Sequence, residues 1–220
     1  TGTENVAVGA YALDASTTGS QNIGAGYGAL GQNTTADYNS AFGYGALTAN
    51  TTASNNTAIG RTALTVNTTG ASNTAVGKNA LYYNTTASYN VAVGTDALLN
   101  NTTGASNTVV GANALDANTT AGNNTAIGRS ALGTTTTGAD NTAVGTTSML
   151  FNTTGAQNTA LGMDSLKNNT TASYNTAVGK EALHDNTTGA NNTAIGKNSL
   201  VDNTTGGSNT AVGAYALDAN

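Results

Sequence analysis

The sequence predicts an all-β protein, a parallel β-solenoid of thirteen coils with 17 residues in each coil. The chain repeats every 17 residues without insertion or deletion, and a short exact period is typical of solenoids, whose units bury their apolar faces by stacking. The units are rich in Thr, Asn and Gly, which disfavour helices, and no Asn-Gly or Asp-Gly pair marks a tight hairpin. Stacked parallel coils are the arrangement that remains.

The repeat reads N-T-A-V-G-x-x-A-L-x-x-N-T-T-G/A-A/S-x, and residues are identified below by their position, 1 to 17, in this unit. The whole chain, 1–220, is predicted to form a single repeat domain. It comprises a partial coil (1–4), twelve full coils (5–208) and a second partial coil (209–220). The units begin at Asn5, Asn22, Asn39, Asn56, Asn73, Asn90, Asn107, Asn124, Asn141, Asn158, Asn175, Asn192 and Asn209.

Composition argues against several classes of function. Six basic residues and a net charge of −5 cannot neutralise a run of phosphates, so no nucleic-acid partner is expected. The absence of Cys excludes disulfides and thiolate metal sites. No apolar run approaches the roughly 18 residues of a membrane-spanning helix, so no membrane insertion is predicted for this segment. Acidic residues do not recur at a fixed position and no phosphate-binding loop is present, so no metal or cofactor is expected.

Two apolar columns are predicted to form the interior. Alternate residues of a strand face opposite sides, and position 4, usually Val or Ile, is assigned to the inward face together with position 2. Position 9 is Leu in twelve units and Met149 in one, and it is predicted to be the second inward column. On this assignment Val76→Asp would bury a charge and disrupt the stack, whereas Lys78→Ala would be almost silent.

Positions 3 and 8 carry small residues, mostly Ala, and their placement is open. One interpretation puts them inside a flattened coil. The other makes them a seam against a second chain, because a free surface would accept larger polar side chains equally well.

Two residue types are held almost constant. Gly occupies position 5 in every unit, which predicts a positive φ or a close backbone approach. Asn occupies position 1 in every unit and position 12 in all but two, the exceptions being Ser16 and Thr135. These columns predict ladders in which each amide hydrogen-bonds the next, with Asn also suited to left-handed corners.

The Asn-Thr-Thr element is also an acceptor sequence for N-glycosylation. Glycans about 4.8 Å apart would collide, so the ladder is favoured over modification, and glycosylation of Thr or of alternate Asn stays open. The candidate acceptors are Asn33, Asn50, Asn67, Asn84, Asn101, Asn118, Asn152, Asn169, Asn186 and Asn203.

Nothing in the sequence predicts an enzyme. His184 is the only histidine and lies at a variable corner, so no base recurs that would activate the many hydroxyls. The Thr pairs at positions 13 and 14 raise an ice-binding hypothesis. Adjacent residues face opposite sides of a strand, however, so only one file of Thr is expected to point outward.

The segment N-T-A-V-G-x-x-A-L, as in Asn73 to Leu81 and Asn175 to Leu183, resembles the S-V-A-I-G-type repeat of YadA-like trimeric autotransporter heads. It is also similar to Asn/Thr-rich repeats of bacterial surface and phage tail-fibre proteins. The resemblance implies a left-handed parallel β-roll in which three chains associate side by side. It covers every unit, although this chain inserts N-T-T-G/A between motifs and its repeat is longer than that of the heads.

The function predicted from the sequence is structural. No capping unit is recognised, and joining tail to head would restore the 17-residue phase with one missing Thr, so the open ends are expected to stack or to belong to a longer fibre. We therefore expect a non-enzymatic subunit of an extracellular filament or surface fibre, whose partners are copies of itself, end to end and also lateral or trimeric. The predicted assembly ends are Thr1, Gly2, Thr3, Glu4, Asn209 and Asn220.

The alternative function is a receptor-binding adhesin head whose variable corners contact a host or phage receptor. Exposed aromatic residues would favour it, and Tyr82, Tyr83 and Tyr89 are the one local cluster in the sequence.

Overall fold

A computed structural model describes residues 2–218 as one stack of coils with thirteen three-residue strands. All strands are parallel and lie in a single sheet in sequence order, so the predicted all-β solenoid is confirmed. No helix occurs within the described range. The strands are β1 Val6–Val8, β2 Ile23–Ala25, β3 Ser40–Phe42, β4 Thr57–Ile59, β5 Thr74–Val76, β6 Val91–Val93, β7 Thr108–Val110, β8 Thr125–Ile127, β9 Thr142–Val144, β10 Thr159–Leu161, β11 Thr176–Val178, β12 Thr193–Ile195 and β13 Thr210–Val212.

Backbone hydrogen bonds fix each coil on the next at an offset of one repeat. In the sheet, Thr74 N donates to Asn90 O at 2.8 Å, and Gly94 N donates to Val76 O at 2.8 Å. The turns are stacked in the same way, since Leu81 N donates to Ala97 O at 3.0 Å. Pairing between coils thus extends beyond the three-residue strands and satisfies backbone groups that a free turn would leave to water.

The interior of each coil is narrow and contains one large apolar side chain at position 9, surrounded by small alanines and by asparagines. Leucines at position 9 are fully buried from Leu30 to Leu200, which confirms this column. Alanines at positions 3 and 8, such as Ala75 and Ala80, are also 0% exposed. Positions 3 and 8 therefore lie inside the coil, as one of the two interpretations held, and they do not form a surface seam.

The prediction that positions 4 and 2 face inward is wrong. Position 4 points to solvent, with Phe42 41% and Ile59 42% exposed, while the neighbouring Ala58 is fully buried. The reason is the width of the coil: a Cβ atom built on Gly24, at position 3, would lie 3.3 Å from Leu13 Cγ. The position 9 leucines already fill the space opposite the strand, so the strand contributes mainly alanine methyl groups to the interior, with Val109 as the one larger side chain at position 3. Val76→Asp therefore would not bury a charge within its own coil.

Glycine at position 5 meets both predicted conditions. Gly94 has φ +138°, and a Cβ atom there would lie 2.6 Å from Gly111 O in the next coil. The other left-handed residues are at positions 7, 9 and 17, for example Asn79, Leu81 and Tyr89. No Asn at position 1 or 12 within residues 2–218 has a positive φ, so the prediction that these asparagines form left-handed corners is wrong.

Candidate functional site: the outer face of the sheet

Both asparagine columns form ladders inside the coil. At position 1, Asn73 N and Nδ2 donate to Asn56 Oδ1 at 2.9 and 3.2 Å, and Asn73 Nδ2 also donates to Ala87 O at 2.9 Å. At position 12, Asn84 Nδ2 donates to Asn67 Oδ1 and to the same Ala87 O, both at 2.9 Å. The two ladders meet at the position 15 carbonyl and hold opposite sides of the coil together, as the amide-ladder prediction requires.

The candidate glycosylation residues are the members of the position 12 ladder. All ten are buried, with exposed fractions from 0 to 2%. A glycan on one of these amides would replace ladder hydrogen bonds and fill the packed interior, so the folded rod offers no room for it. The structure thus favours the ladder role for these residues, and modification would require a chain that has not yet folded.

One surface feature runs along the whole stack, the outer face, defined here as the side chains of positions 2 and 4 on β1 to β13. It contains no charged residue and consists of Val, Ile, Thr, Leu, Phe, Ser and Ala. Strands about 4.8 Å apart give a face about 60 Å long, and three-residue strands make it about 10 Å wide. Position 4 is apolar in all thirteen strands, whereas position 2 is Thr or Ser in ten of them. A contiguous apolar surface is uncommon on monomeric proteins and marks interaction sites.

The outer face has a basic margin. Five of the six Lys and Arg residues lie at position 6, immediately after the position 5 glycine, and all five are exposed. Among them, the guanidinium of Arg61 lies over the ring of Tyr44, with Cζ 6.0 Å from its centroid. The residues are Arg61, Lys78, Arg129, Lys180 and Lys197.

An aromatic ladder near the amino-terminal end was not predicted. The ring centroids of Tyr11 and Tyr27 are 5.3 Å apart, as are those of Tyr27 and Tyr44, and the second pair is stacked with an interplanar angle of 9°. The signal was present in the sequence, because Tyr27 and Tyr44 are separated by one repeat. Of the predicted cluster, Tyr82 and Tyr83 contact each other with centroids 4.6 Å apart, whereas Tyr89 forms no aromatic pair within the described range.

The predicted assembly ends bond to their neighbours as interior coils do. Gly2 N donates to Thr17 O at 3.2 Å, and Glu4 Oε2 accepts from Gln21 Nε2 at 2.7 Å. Thr3 N donates to Ser20 Oγ at 3.1 Å, and Asn209 N donates to Asn192 Oδ1 at 2.9 Å. Thr1 and Asn220 lie outside the described residues.

The titratable groups are scattered along the rod. His184 Nδ1 lies 2.7 Å from Asp185 Oδ1 at a partly exposed corner. Burial raises the pKa of the Asp116 carboxyl above its usual value, although hydrogen bonds, the first from Asn113, oppose the change. Within residues 2–218 no group of three or more His, Cys, Asp or Glu side chains is arranged to hold a metal ion.

Comparison with protein families, curated proteins and solved structures found no match to this chain. Across residues 2–218 the structure has no helix with the length and apolar character needed to cross a membrane. The functional argument therefore depends on the geometry of the rod and its outer face.

Proposed function

We propose that this chain is a structural element of an extracellular filament or surface fibre, in which coils stack end to end and rods associate side by side. The observation that carries the proposal is the outer face, an uncharged surface of Val, Ile and Thr that runs along an uninterrupted stack. The extracellular location is supported by the resemblance to bacterial surface and tail-fibre repeats.

End-to-end stacking is supported by the identity of the coil-to-coil contacts. At positions 2, 5 and 9 the same backbone hydrogen bond joins every neighbouring pair of coils, and β1 and β13 each pair with only one strand in this structure. Unpaired strand edges are templates for further strands. A coil from another copy, or from further polypeptide of the same fibre, would meet the hydrogen-bonding pattern that joins the interior coils.

Lateral association is supported by the area and composition of the outer face. An area of about 600 Å² on each copy would bury about 1,200 Å² in total, the lower end of the range for stable interfaces. Position 4 residues at the middle of the rod, such as Ile127 and Leu161, are 39% and 38% exposed. Removing these methyl groups from water is favourable, and no charge on the face opposes it.

Sedimentation velocity over a concentration series tests the lateral part of this proposal. The wild-type chain should sediment as assemblies, and the double variant Ile127→Glu/Val144→Glu should sediment as rods that do not associate side by side. The matched control is Thr137→Glu/Thr154→Glu, which adds the same charge to the same two coils at exposed position 14. Equal association of the outer-face variant and the wild type would rule out the outer face as the interface.

A further inference from the structure

A recess of 270 Å³ lies beside the aromatic ladder, at the corner formed by positions 6, 7 and 10. Tyr27 and Tyr44 form one side of it, and Thr48, Thr65 and Tyr82 line it from position 10. None of its lining residues is charged. It spans several coils and lies on a corner of the rod that the outer face does not include.

The recess exists because two successive coils carry glycine at position 7. Gly28 and Gly45 have φ values of 66° and 64°, close to the 56° of Thr62 and 55° of Asn79 at the same position in the next two coils. A Cβ atom on Gly28 would have Thr48 Oγ1, 4.0 Å away, as its nearest neighbour. Stacking therefore does not require glycine at this position, and its use here leaves open space beside the rings.

The side chains of Tyr27 and Tyr44 stay partly exposed beside this space. Tyr27 and Tyr44 stack nearly in parallel, with ring centroids 5.3 Å apart. Both side chains are more than half exposed, at 52% and 55%. Arg61 lies over the Tyr44 ring and does not line the recess.

The polar groups of the recess are hydroxyls. Thr48 Oγ1 donates to Gly28 O at 3.0 Å, and Thr65 Oγ1 donates to Gly45 O at 2.8 Å. Each of these hydroxyls has used its proton and keeps lone pairs that accept hydrogen bonds. The lining tyrosines also carry phenolic hydroxyls, each of which can donate and accept.

We propose that this recess binds a neutral saccharide. Aromatic rings pack against the C–H faces of a sugar, and hydroxyls exchange hydrogen bonds with sugar hydroxyls. No charged side chain lines the recess, so a charged ligand would lose water there without gaining a counter-ion among the lining residues. The site is independent of filament formation, and it would give the rod an adhesive role in addition to its structural one.

Intrinsic tyrosine fluorescence tests the site directly, because the chain has no Trp and its nine Tyr residues give the signal. The full chain is titrated with neutral cello-, malto- and chito-oligosaccharides, and with heparin oligosaccharide as the charged comparison. We expect a neutral oligosaccharide to bind, with affinity at least roughly tenfold lower in Tyr44→Ala and in Gly45→Asn. Gly45→Asn fills the recess with an asparagine side chain, which is the side chain that Asn79 carries at the same repeat position.

The control variant is Tyr174→Ala, which removes an exposed tyrosine far from the recess and should bind as the wild type does. Circular dichroism and thermal melting confirm that each variant is folded before its affinity is compared. The proposal is overturned if no neutral oligosaccharide binds at concentrations up to about 10 mM, or if heparin alone binds. Equal affinity of wild type, Tyr44→Ala and Gly45→Asn would overturn it as well.

Discussion

Most complete coils bury two asparagines in an interior that otherwise consists mainly of Leu and Ala. A buried amide is costly unless its hydrogen bonds are made, and here the repeat supplies the partners because each Oδ1 faces a donor one coil away. A buried position 12 amide outside this pattern is Asn118, whose Oδ1 has no partner. The next coil carries Thr135 at this position, and its hydroxyl donates instead to Asn152 O at 3.0 Å.

Thr135→Asn should raise stability by about 1 kcal/mol, because it restores the donor that Asn118 Oδ1 lacks. Thermal melting followed by circular dichroism measures the change. Thr137→Asn, an exposed substitution of the same kind in the same coil, should leave the melting temperature within error of the wild type. A lower melting temperature for Thr135→Asn would show that the ladder is not a source of stability here.

Ala75 and Val76 are neighbours on one strand and should respond oppositely to a charge. Ala75→Asp places a carboxylate in the dry interior and should prevent native stacking of its coil, at a cost of several kcal/mol. Val76→Asp places it on the outer face, so the coil should stay folded while lateral association weakens. Circular dichroism and sedimentation of the two variants measure this difference. If Val76→Asp lost its fold while Ala75→Asp stayed folded, the assignment of Ala75 to the interior and Val76 to the outer face would be wrong.

Asp116 should make stability depend on pH. Its folded-state pKa is raised by burial, so its contribution to stability is fully present below the unfolded pKa of about 3.9 and is lost as pH rises through the folded value. Asp116→Asn should therefore raise the melting temperature at pH 7, and the gain should shrink below about pH 4. A melting temperature at pH 7 equal to or below that of the wild type would contradict this account.

At the scale of the element, each coil is one short strand followed by tight turns. Left-handed residues at positions 5, 7, 9 and 17 bend the chain, and Leu81 is typical of position 9 with φ 52°. A leucine in this conformation costs about 1 kcal/mol or more, and the inter-coil hydrogen bonds of the turns offset that cost. The turns therefore form only in a stack, which explains why the strict repeat is needed.

Gly94→Ala should destabilise the rod strongly, because its Cβ atom would collide with the Gly111 carbonyl and φ is +138°. Gly28→Asn is the matched control, since its site has space and other coils carry Asn at that position. We expect the melting temperature to fall by several degrees in Gly94→Ala and to change little in Gly28→Asn. Equal effects in the two variants would mean that close backbone approach does not hold position 5 to glycine.

Sequence reasoning predicted the repeat unit, its parallel stacking, the leucine column, the amide ladders and the constraint on Gly94. It assigned Val76 to the wrong face because it took the larger apolar residue to be the buried one. That rule fails when leucines from the opposite side, such as Leu81, already fill a narrow coil. The recess near Tyr44 was missed because it depends on side chains one repeat apart and on glycines where the repeat usually carries a side chain.

At the scale of the whole molecule, one register extends from β1 to β13 without a change of partner or offset. The result is a rod about 60 Å long with a buried interior and an uncharged outer face of mainly Val, Ile and Thr. Each coil contacts mainly its two neighbours, so stability grows with the number of stacked coils. A rod with these properties fits a fibre, in which further coils and neighbouring rods cover its exposed edges and outer face.

Cryo-electron microscopy of the purified chain over a concentration series tests this assembly most directly. The account predicts straight fibres that are longer than the roughly 60 Å of one rod. They should show an axial spacing near 4.8 Å, with rods in contact through their outer faces. Separate rods of about 60 Å at every concentration, with the outer face open to solvent, would contradict it.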